Sequence, residues 1–503
     1  MRDHSHGSDS LPDTGWIAHT DAAEVLELLA GISALAPFTS GSDGEKLVGQ
    51  VLTHLAWRSA TASVADPPLP IDAETRNELF HLYRRMGSDN SSRHHLLSIL
   101  AHGGTADDLR CFAELISSDP PSTSSAAATV FFPLTVRREF DVSALFPKLL
   151  DGLQHVQLAA AILDLANFLT RQGMTSQHPA AGHKESLTEL LGTVVGQLGR
   201  WEENPPNDVE IWQRACGQVN EGIALAVSLC DTLSFIGDSA SIGKLNQAVE
   251  LGHRRVRVEA AAALSRLGDE HATTELVRLA SEPITRLRVL AYADELDISS
   301  KIDPQFMTEQ ARVEAELACF LAEPTQFGIP PQHIELADQR NQYWPGYEEP
   351  VECYLFRYEY LLPQGQYSNI GIAGPYVHAL TADLADLPVE NIYAAYAGVQ
   401  AEHEEICELE LDQLSRQQQS ECRHLRQLLE DAGYDQIKAN MLGIFFGEPV
   451  LMATASKDHC LGTVVADRLN LYWYPHGSKT RPLWAADAYA IYKGRNMLEM
   501  FNF

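Results

Sequence analysis

The stretch Val256-Arg257-Val258-Glu259-Ala260-Ala261-Ala262 returns 31 residues later as Leu287-Arg288-Val289-Leu290-Ala291-Tyr292-Ala293. Leu245 maps onto Leu276 at the same offset, so a two-helix unit repeats and not one fortuitous segment. A helix pair of this length cannot bury its own apolar face and has to stack on a neighbour, which predicts an elongated α-solenoid. Within the unit, Ile242, Leu245, Ala248 and Val249 form a stripe at helical spacing, and Gly252-His253 turns the chain. The Ala-rich segment Val256 to Leu267 is the second helix, and Gly268-Asp269 leads into the next unit.

The run Val256-Arg257-Val258-Glu259-Ala260-Ala261-Ala262-Ala263-Leu264-Ser265-Arg266-Leu267-Gly268-Asp269 resembles the second-helix signature of HEAT and HEAT-like (PBS-lyase type) repeat proteins of bacteria. The match covers about two units, residues 240 to 297. The resemblance implies that Arg257, Arg288 and Asp269 knit neighbouring units together inside the stack.

Upstream, apolar periodicity predicts helices at Ala22 to Leu35, Glu45 to Trp57, Ala73 to Met86, Ser92 to His102, Asp107 to Ile116, Val142 to Leu153, Val156 to Leu169, Lys184 to Leu198 and Val209 to Leu233. Proline-rich connectors such as Asp119-Pro120-Pro121-Ser122 separate them, since proline bars helix continuation. Residues 1–20 are polar and read as a disordered leader without the apolar core of a secretory signal; Leu11-Pro12-Asp13-Thr14-Gly15 matches a sorting pattern only by chance. No apolar run is expected to span a membrane, and the richest, Ala128 to Val136, is broken by Pro133. The expected organisation is therefore a leader (1–20), an all-α repeat array (21–303) and a C-terminal α+β domain (304–503) with an antiparallel sheet, entered through a connecting helix at 304–323. The fold class is α+β.

In the C-terminal part, Val351 to Tyr360 and Tyr367 to Ile372 are rich in β-branched and aromatic residues and flank Pro363-Gln364-Gly365-Gln366, which predicts a hairpin. Further strands are expected at Met441 to Phe446, Pro449 to Ala455, Gly462 to Val465 and Leu469 to Tyr474, with helices at Val389 to Val399, Gln417 to Ala432 and Ala485 to Met500. This block is similar as a whole to bacterial proteins known only as HEAT-repeat-containing, which implies no reaction.

With 68 acidic against 37 basic residues the net charge is −31, which opposes approach to nucleic acid or to anionic lipid. A basic protein partner fits instead, and acidic residues also outnumber basic ones about two to one after residue 303. The eight cysteines are widely spaced with no C-x-x-C pair, so they read as reduced core residues, and the expected home, with neither signal nor span, is cytoplasmic.

Three stretches carry candidate chemistry. Ser368, His378 and Asp383 are weak candidates for nucleophile, base and orienting acid, because a hydroxyl activated by an imidazole held by a carboxylate is a workable triad; no nucleophile elbow surrounds Ser368. Ile370-Gly371-Ile372-Ala373-Gly374-Pro375 lacks a Lys or Arg and reads as a strand exit more simply than as a phosphate loop. In the acidic run Ala401 to Asp412, His403 and Cys407 would share one helix face, yet a second His at metal spacing is missing, so no metal or cofactor is expected.

Tyr343, Trp344 and Tyr347 beside Glu348 and Glu349, together with Glu402, Glu404 and Glu405, are the candidate partner-binding residues. Aromatics next to carboxylates grip Lys and Arg side chains by cation–π and ionic contacts, although packing at the domain boundary competes for the same rings. The expected function is that of a non-enzymatic scaffold for a basic protein, one form being an immunity-type role that neutralises a cationic toxin. The alternative is an enzyme or enzyme accessory, lyase-like or hydrolase, working around Ser368, His378 and Asp383. Oligomeric state is left open.

Overall fold

The computed structural model describes residues 20–502 apart from 36–41, 61–68, 70, 88–89, 91, 138, 206–208, 363–364, 478 and 480. The leader expected at 1–20, save Thr20, and the turn residues Pro363 and Gln364 lie outside the described residues. The chain divides into two compact units, Met1–Leu276 and Val277–Phe503; composition placed the change near residue 303.

The first unit is all helical. Its helices are α1 (Ala22–Leu35), α2 (Asp43–Ala60), α3 (Ala73–Arg85), α4 (His94–Gly103), α5 (Ala106–Ser118), α6 (Ser124–Val136), α7 (Val156–Arg171), α8 (Lys184–Glu203), α9 (Val209–Ile236), α10 (Ile242–Val249) and α11 (Arg254–Arg266), with α12 (Glu270–Leu279) crossing the division. Through the first half each helix packs on the next but one, α1 on α3, α2 on α4, α3 on α5 and α4 on α6. Caps set several boundaries: the Thr105 and Asp108 side chains form a reciprocal capping box at α5, and Asp269 accepts the amides of His271 (2.9 Å) and Ala272 (3.0 Å) at the start of α12.

The structure departs from three expectations in this unit. α6 runs through Pro133 instead of breaking at it; the proline is buried and forfeits one backbone donor, while Thr123 caps the helix start. The helix expected over Val142 to Leu153 is two short 3₁₀ turns, Val142–Ala144 and Lys148–Gln154, because Pro147 interrupts the hydrogen-bond ladder between them. A third concerns α9, whose segment Cys216–Ile236 is by length and composition apolar enough to cross a membrane, although 61% of that window is buried in the protein. Its apolarity serves packing against α7, α8 and α11.

A polar cluster is buried between α7, α9 and α11. Asp231 accepts Arg171 at 2.9 Å and Arg266 at 3.3 Å, and both guanidiniums lie over the Phe235 ring, 4.9 and 4.4 Å from its centroid. One turn away, Asn167 donates to the Ser228 carbonyl (3.1 Å) while its own oxygen accepts from Thr232 (2.9 Å) and faces His178 Nε2 (3.0 Å). The backbone amide of Ala180 donates to His178 Nδ1, so the ring is neutral with its proton on Nε2.

The second unit continues with α13 (Pro283–Glu295) and α14 (Glu309–Leu321) and then holds two antiparallel sheets where one was expected. Sheet one has the order β1 (His333–Gln342), β2 (Val351–Leu362), β3 (Gly365–Ala373), β4 (His378–Ala379). Helix α15 (Val389–Gln400) follows. Sheet two has the order β5 (Ile406–Leu409), β6 (Asp435–Phe445), β7 (Glu448–Lys457), β8 (Cys460–Ala466), β9 (Leu471–Pro475), with α16 (Arg416–Asp431) before β6 and α17 (Ala485–Phe501) closing the chain. Period-two patterning splits each sheet between two cores. Tyr354, Phe356, Tyr358 and Tyr360 face α14, and Leu451, Ala453 and Ala455 pack with Leu425 and Leu429 of α16. The alternate residues Cys353, Leu355, Val450 and Met452 meet in a central core built around α15 and α17. α14 is thus a layer of this unit rather than a connector.

The order helix, four strands, helix therefore occurs twice, and the ladders align over the middle of each sheet, although β6 has a second bulge between Asp435 and Lys438 that β1 lacks. Leu355 pairs with Ile372 on one side and Asp338 on the other; Met452 pairs with Val465 and Met441 in the same way. The bulge in β1 between Leu336 and Asp338 has its counterpart in β6 between Ala439 and Met441. Tyr393-Ala394-Ala395-Tyr396-Ala397-Gly398 of α15 matches Tyr489-Ala490-Ile491-Tyr492-Lys493-Gly494 of α17. The tyrosines tie each helix to its sheet, though not at matching positions: Tyr393 and Tyr396 donate to the carbonyls of Cys353 and Ile370 in sheet one, Tyr489 donates to that of Ile444 in sheet two, and Tyr492 donates to the Asp467 carboxylate.

Candidate functional site

A groove of about 580 Å³ opens in the second unit where the last turns of α15 and α17 meet the loop after β1. Val399 and Gln400 come from α15, Met497 and Phe501 from α17, and Pro345 and Gly346 from the loop, while Tyr376, Ala401 and Glu402 complete the wall. The loop is held from below. Trp344 is 1% exposed, with its indole N–H donating to the Gln400 side chain and its ring 6.4 Å from that of Tyr376. Gly346 takes φ +87°, a conformation that only glycine adopts freely, and lets the chain double back so that the Tyr347 hydroxyl donates to the Pro375 carbonyl. Asn502, just past α17, accepts the Tyr343 amide at 2.8 Å and donates to the Tyr343 carbonyl at 3.2 Å.

Electrostatics favour a cation. The carbonyl ends of two helices converge on the groove, and such ends carry partial negative charge. Glu402 is the one acidic side chain in the lining, and Glu348, Glu349, Glu404 and Glu405 are exposed on the flanking loops. Around the mouth, Tyr343, Tyr347, Val399, Met500 and Phe501 are 41–59% exposed, an apolar patch of the kind that marks an interface. Tyr376 donates its hydroxyl to the Tyr396 carbonyl at 2.7 Å, and burial holds its phenol protonated far above the ordinary range.

The structure brings both expected segments to one groove, to which the 343–349 loop gives Pro345 and Gly346 and the 402–405 run gives Glu402, while Tyr343, Tyr347, Glu348, Glu349, Glu404 and Glu405 lie outside its lining. Trp344 is a core residue that fixes the loop and cannot touch a partner. The acidic run is corrected from helix to a loop followed by β5, since α15 ends at Gln400 and Ile406–Leu409 pairs with β6. His403 and Cys407 share no helix face; the His403 ring lies tilted against that of Phe446 with centroids 4.8 Å apart, and Cys407 lies on the strand. Among the described residues no group of three or more metal-ligating side chains gathers anywhere.

Ser368 and His378 do not meet. Ser368 sits opposite Glu359 on β3, whereas His378 of β4 pairs with Ile372, four residues or about 13 Å further along the strand. The His378 ring lies among Phe320, Tyr376 and Tyr396, and burial there lowers its pKa. Asp383 spends its carboxylate on the Ala385 amide (3.2 Å), and its carbonyl accepts Lys479.

Sequence reasoning passed over Tyr376, Val399, Met497 and Phe501. The signal available was the apolar Met497-Leu498-Glu499-Met500-Phe501 run, denser than one buried helix face requires. No family model, curated protein or solved structure matches this chain.

Proposed function

We propose that this protein is a non-enzymatic interaction protein, a HEAT-like helical-repeat array joined to an α+β unit whose groove holds a basic segment of a protein partner. The observation that carries the reading is the pairing of an apolar, aromatic-rimmed groove with charge of one sign: Glu402 in the wall, four exposed glutamates flanking it and two helix carbonyl ends. Apolar anchors supply affinity in such a site, and the carboxylates select and steer a Lys- or Arg-rich partner. Helical repeats are supported by the next-but-one packing of α1 to α6 and by the Arg257–Glu275 ion pair (2.8 Å), which ties the signature arginine of α11 to α12. Of the residues expected to carry catalysis, Ser368 and His378 stand about 13 Å apart along sheet one and Asp383 binds backbone in the loop after β4, which favours binding over chemistry.

The test is affinity capture from native cells with the wild-type protein and with a Glu402→Lys, Phe501→Glu variant of unchanged thermal stability. The reading expects one stoichiometric basic protein on the wild type, lost on the variant and weakened by salt. Equal recovery on both proteins would refute it.

A further inference from the structure

The two copies of the helix, four-strand, helix arrangement differ at one edge. In sheet two the outer edge of β6 is covered by β5, which pairs antiparallel with Ile406 opposite Phe445, Cys407 opposite Ile444, Glu408 opposite Gly443 and Leu409 opposite Leu442. Carrying β6 onto β1 through the aligned ladders places Leu442 on Gln339 and Phe445 on Gln342. That stretch of β1 pairs with β2 alone, and among the described residues no strand lies on its other side. We propose that the outer edge of β1, at Gln339–Gln342, receives an extended basic segment of a partner protein as an added antiparallel strand, in the position that β5 occupies in the second copy.

An edge strand presents unpaired N–H and C=O groups that template a further strand, and native proteins that do not use an edge protect it with bulges or charges. Protection does not account for β1. Its bulge is shared by β6, which accepts β5 immediately beyond it, so the bulge is compatible with pairing on the C-terminal side. Charge selects the occupant. Glu335, Asp338, Glu352 and Glu390 lie along β1 and its neighbours; Arg340 is paired with Asp338 (2.8 Å) and Glu390 (3.3 Å), and Arg357, opposite Glu335 on β2, donates to the Ala385 carbonyl (3.4 Å). The Gln339 and Asn341 side chains both donate to Glu352 at 3.0 Å, which folds them onto β2 and leaves the backbone edge clear. The proposal rests on the reading above only for the positive charge of the partner.

The test uses the full chain and a capped synthetic peptide, Lys-Lys-Ile-Ser-Thr-Leu-Lys-Lys, read by amide hydrogen exchange with mass spectrometry. Bound peptide is expected to slow exchange in residues 333–342 at least about fivefold and to leave 442–445, already covered by β5, unchanged. Of two peptides N-methylated at alternate amides, only the one blocked on the pairing edge should lose the effect. No slowing over 333–342, or the same result with both methylated peptides, overturns strand addition. The Phe501→Glu variant separates the two readings. Slowing at β1 that persists in it, with native capture also unimpaired, sinks the groove and keeps the strand; slowing confined to 399–402 and 497–501 of the wild type does the reverse.

Discussion

Gly398 and Gly494 meet where α15 packs on α17: a Cβ on Gly494 would stand 2.6 Å from the Gly398 nitrogen and 1.8 Å from the Ala394 oxygen. The reciprocal contact, a Cβ on Gly398 at 1.7 Å from the Ala490 oxygen, repeats it across the pair. Matching small residues at matching helix positions let the two backbones touch, and this contact sits at the centre of the core shared by both sheets.

Gly494→Ala should therefore destabilise the protein by about 1–3 kcal/mol, the usual effect of overpacking, although alanine is the better helix former. Gly31→Ala, in α1 with open space around it, should stabilise by roughly 0.5–1 kcal/mol. Denaturant unfolding of both variants checks the pair; a neutral Gly494→Ala would mean that the helices are not in backbone contact.

Asp231 is 8% exposed between two arginines. Asp231→Ala leaves both guanidiniums without this carboxylate in a half-buried site, and a loss of roughly 3 kcal/mol is expected. Calorimetry of the variant reads it. A loss below the measurement error would show that other partners of the arginines suffice.

Burial lowers the His178 pKa to about 4. In the unfolded chain the ring titrates near 6.5, so the folded state binds fewer protons between these limits. The stability tied to the neutral ring is complete above about pH 6.5 and is lost as pH falls toward 4, an effect of about 3 kcal/mol. His95, also lowered to about 4 by burial, acts in the same direction. His178→Gln should flatten the stability profile between pH 7 and 4.5, as followed by urea unfolding at several pH values.

At the groove, Phe501→Ala should weaken partner binding about tenfold or more by removing an apolar anchor, with little change in salt dependence. Glu402→Gln should lower the salt dependence instead, with a smaller loss of affinity. Titration calorimetry with the captured partner at two ionic strengths separates these effects.

Much of the fold was legible in local pattern. Helices at Ala22–Leu35 and Lys184 onward, the β2–β3 hairpin and the strands β6 to β9 follow from period and turn residues alone, because the buried stripe of an element is written into its own sequence. β1 was missed because His333-Ile334-Glu335-Leu336-Ala337-Asp338 sits at an edge, alternating only between exposed and half-buried positions. The acidic run was misread because charge density says nothing about hydrogen bonding, and Ile406–Leu409 becomes a strand only where β6 offers its edge.

The candidate site divides the same way. Tyr343, Tyr347 and the glutamates could be chosen from residue type, whereas their meeting with Met497 and Phe501 depends on the packing of α15 against α17, some hundred positions apart in the chain.

By itself the sequence determined the class of the molecule: helices first, antiparallel strands after, and an excess of negative charge. Only the tertiary structure decided that the strands form two matching sheets, that Trp344 is a plug and not an anchor, that Ser368 and His378 stand apart, and that one sheet edge is covered while its counterpart is open. Local periodicity specifies which face of an element is apolar, but which elements meet is settled by long-range packing, where side-chain volume, as at Gly398 and Gly494, and backbone pairing, as at β5, select among alternatives that look equivalent residue by residue.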